Sequence, residues 1–288
     1  MQPSKQAQAR SIARKEPTLE PAGAELPLPR HGTARKVYPM QSPFRLPLVA
    51  LLAVAACLTH PVGTGVAQDK AKPAGRYQPG VRTRDGIGKY YFGREIAHYM
   101  THLGAPWLDR PERDQEERPD LVMQALALKP GDVVADLGCG TGYFSWRMAK
   151  AVGDKGIVYG VEIQPEMLDL LATKMKQRGI TNVLGVLGTT SDPKLPKLVD
   201  LVIMVDVYHE FDHPWEMMDA VCKQLKPGGR VVFVEYRGED PEVPIKPLHK
   251  MTEAQVKKEM SSQPLEHVET VCTLPRQHLI VFRKKAGK

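Results

Sequence analysis

The stretch Val133–Met148, VVADLGCGTGYFSWRM, decides how the rest of the chain is read. Its apolar run ends at Asp136 and Leu137 and passes through Gly138, Gly140 and Gly142. Beyond them Phe144, Met148 and Val152 recur every four residues before Gly153. That order predicts a strand, a tight turn and a helix, since the recurrence gives one apolar face and a glycine suits the residue after a helix. The turn glycines admit positive φ and let a ligand approach the backbone without meeting a Cβ. Their spacing separates two cofactor classes. A dinucleotide turn wants G-x-G-x-x-G. Here Tyr143 stands three residues after Gly140 and the glycines fall as G-x-G-x-G, so a nicotinamide dehydrogenase fails on spacing.

Working outward, Pro119 opens a helix to about Leu128, and Lys129-Pro130-Gly131-Asp132 turns into the central strand. A second strand, Gly156–Val161, ends at Glu162, 20 residues past Gly142, where an acid that grips ribose hydroxyls is expected after a glycine turn. Pro165 opens a helix with Met167, Leu168, Leu171 and Met175 inward, closed by Gly179, and Val183–Leu187 is a third strand. The fourth, Asp200–Val205, is nearly all apolar, as a strand covered on both faces should be, and it runs into Asp206-Val207-Tyr208-His209-Glu210. A helix from Asp212 and Pro214 to Leu225, the turn Lys226-Pro227-Gly228-Gly229 and a fifth strand Arg230–Tyr236 follow. Thr252-x-x-Gln255 fits a capping box, and Val268–Leu274 with His278–Arg283 reads as a closing hairpin. Alternating strands and helices predict an α/β, doubly wound, mostly parallel sheet.

The D-L-G-C-G-T-G turn at 136–142 and L-K-P-G-G-R-V-V-F-V-E at 225–235 resemble the first and late motifs of class I S-adenosylmethionine (SAM)-dependent methyltransferases. The resemblance covers about residues 119–284 and leans toward the quinone- and sterol-modifying type. It implies a Rossmann-like, seven-stranded sheet with a carboxyl-terminal antiparallel hairpin and SAM as cofactor. It further implies cofactor contacts at Asp136, Gly138, Cys139, Gly140, Gly142, Glu162, Ile163, Asp192 and Asp206. Asp136 would order the turn, Glu162 hold the ribose and Ile163 lie beside the adenine; Asp192 reads equally well as a turn residue before Pro193. His209 and Tyr208, after the fourth strand, are the candidate catalytic residues, with His209 as general base for a hydroxyl acceptor because histidine titrates near neutrality. Glu210 would point elsewhere if the strand continued. Asp206-Val207-Tyr208-His209 differs from the Asn/Asp-Pro-Pro-Tyr type that grips nucleobase amino groups, so the implied acceptor is a small molecule. The rival is a SAM-binding sensor or scaffold that does not turn over.

Gly93–Leu103 carries helical spacing through Ile96, Met100 and Leu103 and is expected to be a lid helix, with Tyr90, Tyr91 and His98 toward the substrate. Glu95, His98 and His102 would share one face of it, but no further ligand lies nearby in sequence, so no metal site is expected. The four cysteines show no zinc spacing and no disulfide framework. Cys139 and Cys222 read as small packing residues.

The net charge of +7 over 288 residues is carried at the amino end, where residues 1–67 hold 8 Lys/Arg against 3 Asp/Glu, leaving 32 against 30 in the remainder. A nearly neutral folded part implies no nucleic-acid surface. Residues 1–45 read as a disordered extension and 46–67 as a signal peptide or membrane anchor, with Met40 a plausible start, a possible cleavage after Ala67 and a lipobox-like Cys57. Export to the periplasm or lipid anchoring, with membrane contact through 46–66, is therefore expected, with a cytoplasmic location as the alternative. Residues 68–118 would form a linker and lid helices, and 119–288 the catalytic domain.

Overall fold

Runs of Val, Ile and Leu bounded by Gly and Pro become strands here, and their register explains the layering. A computed structural model describes residues 75–286; the expected extension over 1–45, the apolar segment 46–67 and Cys57 lie outside the described residues. In chain order come β1 (Tyr77–Pro79), β2 (Gly86–Tyr91), β3 (Arg94–Ala97), α1 (Ala105–Leu108), α2 (Arg113–Glu117), α3 (Pro119–Leu126) and β4 (Val133–Leu137). They are followed by α4 (Ser145–Val152), β5 (Ile157–Glu162), α5 (Pro165–Gln177), β6 (Val183–Leu187), β7 (Val199–Val205) and α6 (Pro214–Gln224). β8 (Leu225–Tyr236), α7 (Glu253–Met260), β9 (Leu265–Val271) and β10 (Gln277–Lys284) complete the order.

The main sheet has seven strands in the order β6-β5-β4-β7-β8-β10-β9. β6 through β8 run parallel, and β10 is antiparallel to both β8 and β9, which gives the doubly wound sheet with a closing hairpin. Side chains alternate faces along each strand. Val202 and Met204 of β7 pack with Met218 of α6 and Val256 of α7 on one face, while Leu201 and Ile203 pack with Leu126 of α3 and Met148 of α4 on the other. The order reverses between β5 and β7 about β4, and the carboxyl ends of strands at such a switch are where open α/β sheets bind ligands.

The amino-terminal segment departs from expectation. Residues 93–103 form no α-helix, only the start of a 3-10 turn at His102–Gly104; β1, β2 and β3 make a separate three-stranded antiparallel sheet, so the segment before Pro119 is more than a linker with lid helices. Phe92 and Gly93 both take positive φ, 50° and 92°, the requirement of a tight hairpin turn. Glu95 then accepts from the Thr83 and Gly88 amides at 3.0 and 2.9 Å, which fixes the strand. Met100 and Leu103, two of the three residues that carry the helical spacing, are exposed. Glu95 and His98 do not share a helix face, and His98 instead meets Arg82 at 2.8 Å. Elsewhere the capping box is half made: Thr252 Oγ1 accepts from the Gln255 amide at 3.1 Å, but the Gln255 side chain turns to Glu259.

Candidate active site

The glycine turn is fixed from behind and open in front. Gly138, Gly140 and Gly142 have φ of 67°, 51° and 83°, all in the left-handed region that other residues enter at a cost. The Gly138 and Cys139 amides both donate to the Val161 carbonyl, at 2.9 and 3.1 Å, tying the turn to β5. Asp136, buried at the end of β4, accepts from Ser145 Oγ at 2.6 Å and so joins the strand to the first turn of α4. Burial pushes its carboxyl up to about 6. Gly142 packs against Leu171 and Met175 of α5, where any Cβ would collide. Cys139 is buried, its thiol driven up by the same desolvation, so it is a packing residue and not a nucleophile. Gly138 and Gly140 are the turn residues that reach the cavity.

That cavity has a volume of about 870 Å³ and lies at the carboxyl ends of β4, β5 and β7. Glu162 sits on its wall, accepting from the Ile163 and Gln164 amides at 2.7 and 3.2 Å through one oxygen and from the Gly140 amide at 3.3 Å through the other. One carboxylate thereby spans the strand end and the turn. Burial raises its pKa and the three amides oppose the rise. Ile163 lines the cavity beside it. Asp192 does not; it accepts from the Lys194 amide at 2.8 Å and pairs with the Lys194 ammonium, serving the turn before Pro193, while Thr189 and Thr190 take the lining position. The residues fit the cofactor that the resemblance implies. A cradle of glycine backbone faces a carboxylate suited to a diol, and Asp206 Oδ1, buried beside the cavity with no partner among the described residues, is left for a polar group of the ligand. Burial in the company of Glu117 and Glu235 holds the Asp206 carboxyl well above the ordinary carboxylate range.

Beyond β7 the chain turns sharply. Asp206 takes φ of 50°, and Tyr208–Glu210 forms a 3-10 turn. The strand does not continue, so His209 and Glu210 both line the cavity, contrary to the expectation that Glu210 points away. Tyr208 is the residue that turns inward: fully buried against Phe211 and Phe233, it donates to Glu259 at 2.7 Å. Glu259 is also held by Arg94 at 2.9 and 3.1 Å, which anchors β3 to α7. Tyr208, expected in the site, is therefore placed in the core between β7 and α7 and does not line the cavity.

His209 Nδ1 lies 2.7 Å from Glu235 Oε2, and Nε2 lies 3.2 Å from His249 Nδ1. Burial drives His209 down to about 3 and Glu235 up to about 8. An imidazole held neutral so far into acid is a weak proton acceptor, which weighs against a general base and still leaves a ring nitrogen at the cavity. Glu235 and His249 escaped the sequence reading. Glu235 had a signal, an acid at the end of the apolar run VVFVE; His249 had none, standing 40 residues from its partner at the end of a 3-10 turn, Pro247–His249.

The roof comes from residues before α3 and from 244–249. Arg84, His98, Tyr99, Met100, Trp107 and Leu108 line it, with Ile245 and His249 opposite. Of the three residues expected in a lid, only His98 lines the cavity; Tyr90 donates to the Val81 carbonyl and Tyr91 is buried. Hydrogen bonds close the roof on the floor: Gln164 takes the His102 amide at 2.8 Å and gives to the Met100 carbonyl at 2.9 Å, and Thr141 gives to Asp109 at 2.9 Å. Lys246 pairs with Asp85 at 2.5 Å across the roof.

Comparisons with known proteins agree with this geometry. A family model described as a methyltransferase domain matches residues 128–282. The tRNA U34 carboxymethyltransferase of Desulfotalea psychrophila is 29% identical over 162 residues, covering 51% of this chain and 50% of its own. The protein-L-isoaspartate O-methyltransferase of Ignicoccus hospitalis is 32% identical over 112 residues, 39% of this chain and 51% of that one. The chain thus spans about half the length of these relatives. Among solved structures, a SAM-dependent methyltransferase from Aquifex aeolicus superposes with a TM-score of 0.61 at 22% identity, covering 65% of this chain and 100% of that one, a likeness of fold.

Proposed function

The chain belongs to the methyltransferase-domain family, in its class I SAM-dependent group, and from that premise we propose that it transfers a methyl group from SAM to a small-molecule acceptor. When bound, SAM supplies an electrophilic methyl on a sulfonium, so the protein's task is to bind, align and exclude water. Glu162 would take the ribose hydroxyls, the Gly138–Gly140 backbone the methionine part, and Asp206 a polar group of the same ligand.

The observation that carries the small-molecule reading is that cofactor wall and acceptor wall belong to one roofed cavity. Pockets for drug-sized ligands run to about 300–1,000 Å³, so about 870 Å³ holds a cofactor and one small partner. Apolar side chains, Ile87, Met100, Trp107, Phe211 and Ile245, line the acceptor side and favour a flat or aliphatic body. The relatives named above act, by their names, on tRNA and on protein, and a nearly neutral folded part lends no support to the first of these acceptors.

The test has two stages. S-adenosylhomocysteine should bind one to one by calorimetry and raise the melting temperature, as any ligand of the folded state alone does, while NAD should not. Methyl-labelled SAM incubated with fractionated extract should then pass label to the organic-soluble small-molecule fraction. Label recovered in RNA or in precipitated protein would overturn the acceptor class, and binding without any transfer would favour the sensor or scaffold.

A further inference from the structure

We propose that His209, Glu210 and His249 bind a divalent transition-metal ion at the acceptor end of the cavity. The proposal rests on the methyltransferase reading for its purpose, though not for its existence. His209 Nε2, His249 Nδ1 and Glu210 Oε1 stand 3.2, 3.8 and 3.5 Å apart taken in pairs. Metal–nitrogen and metal–oxygen bonds of about 2.0–2.2 Å put neighbouring ligand atoms about 3.0 Å apart in an octahedral set and about 3.4 Å apart in a tetrahedral one. The three edges bracket the tetrahedral value and all lie above the octahedral one, so closing on an octahedral ion would draw the ligands inward by a few tenths of an ångström. A web of hydrogen bonds explains them less well: one proton can join the two imidazoles, but the Glu210 oxygen stands too far from either ring for a bond of ordinary length. No other group of three or more such side chains converges in this way among the described residues.

The surroundings are those of a built site. The other ring nitrogen of His209 lies 2.7 Å from Glu235 Oε2, and Glu235 Oε1 takes the Tyr208 amide at 3.0 Å, so the ring is oriented by a fixed carboxyl group. A metal-bound histidine characteristically has such a carboxylate behind it, and removing it costs 10–100-fold in affinity. The second oxygen of Glu210 takes the Met100 amide at 3.2 Å, leaving Oε1 for the centre. The three ligands come from two segments, the 3-10 turn after β7 and a second 3-10 turn, Pro247–His249, after β8, yet they line one cavity with the glycine turn.

Two imidazoles and one carboxylate suit zinc, iron, cobalt or nickel in the divalent state, and three protein ligands leave coordination positions open. An acceptor hydroxyl or thiol would take such a position, its proton passing to solvent water while the ion holds the resulting anion. A base among the side chains is then unnecessary, which accords with the buried His209.

The experiment uses the full chain without a polyhistidine tag, stripped with chelator and titrated with Zn²⁺ by calorimetry and with Co²⁺ by visible absorption. The proposal expects one ion per chain with a micromolar or tighter Kd and ligand-field bands for cobalt. His249→Ala and Glu210→Gln should each weaken Zn²⁺ by at least 100-fold and abolish the bands. Both variants are assayed for S-adenosylhomocysteine binding, which depends on the other wall and should persist. Absent stoichiometric binding by the wild type, or binding that both variants retain, overturns the metal site. Loss of S-adenosylhomocysteine binding by the wild type would instead overturn the methyltransferase reading and leave the zinc result standing by itself.

Discussion

Replacing Glu162 by Gln isolates the charge of the group assigned to the cofactor's ribose. The native carboxylate accepts from three backbone amides, two through Oε1 at 2.7 and 3.2 Å and one through Oε2 at 3.3 Å. A carboxamide can keep its oxygen at the first position, but its NH₂ then faces the Gly140 amide, donor against donor, and a ligand hydroxyl loses a charged acceptor. Hydrogen bonds to charged groups contribute about 1.5–3 kcal/mol and neutral ones about 1 kcal/mol. The exchange should weaken S-adenosylhomocysteine by about 1–3 kcal/mol, or roughly 5- to 150-fold in Kd. Calorimetry at pH 7.5 reads this directly, with near-ultraviolet circular dichroism to show that the variant is folded. A second signature follows from the sign of the pKa change. Burial raises the Glu162 pKa, so the free protein takes up its proton at a higher pH than an exposed glutamate would. Wild-type affinity should fall on acidification through that range, because the ligand needs the carboxylate. The Gln variant should lose that part of the pH dependence. A folded variant with unchanged Kd and an unchanged acid limb would refute the assignment of Glu162 to the ligand.

Asp136→Asn tests the turn from behind. The folded pKa near 6 against 3.8 for the free group means that the native state binds this proton more tightly than the unfolded state. The contribution is therefore full below pH 4 and is lost as pH rises through about 6, a cost on the order of 3 kcal/mol. Asparagine still accepts from Ser145, so urea denaturation of the ligand-free proteins should favour the variant increasingly from pH 4 to 7; a difference that stays flat would contradict the buried-carboxylate account. Tyr208→Phe removes one buried hydroxyl from Glu259, which keeps Arg94 and Gln255, and should cost about 1–2 kcal/mol, roughly 2–8 °C in Tm. Its Kd for S-adenosylhomocysteine should stay within about twofold, and a larger loss would return Tyr208 to the site. Gly140→Val puts a branched Cβ at φ of 51° and 2.7 Å from Leu108 Cδ1 of the roof; binding should be abolished, and Leu108→Ala should not rescue it fully because the backbone strain remains.

The parallel core was readable because strands covered on both faces must be apolar throughout, as β7 is, and the turn because positive φ at 138, 140 and 142 demands glycine. The roof was misread because Ile96, Met100 and Leu103 mimic helical spacing. What overrides them is local backbone geometry at Phe92-Gly93 and the capture of two amides by Glu95. Neither leaves a periodic trace. Tyr208 was placed in the site because it stands beside His209 just past the end of the fourth strand. The 3-10 turn rotates the side chains, burying Tyr208 on the α7 side and giving the cavity both His209 and Glu210.

The acceptor wall could have been carried one step further from strand order alone. If β7 and β8 are parallel neighbours, their carboxyl ends must lie side by side, and the register pairs Val205 with Val234. Each strand then emits its next residues into the same crevice: Asp206 to Glu210 from one, Glu235 and Tyr236 from the other. An acid there is costly to bury unless it has a partner, and the histidine four residues past the neighbouring strand is the group within reach. The Glu235–His209 pair follows from topology and desolvation together. His249 does not, since it arrives on the loop between Tyr236 and α7, whose path no strand register constrains. The ligand that completes the proposed metal set is thus the one whose position depends wholly on tertiary packing, which is why His249→Ala tests that site more cleanly than any change at residues the fold itself requires.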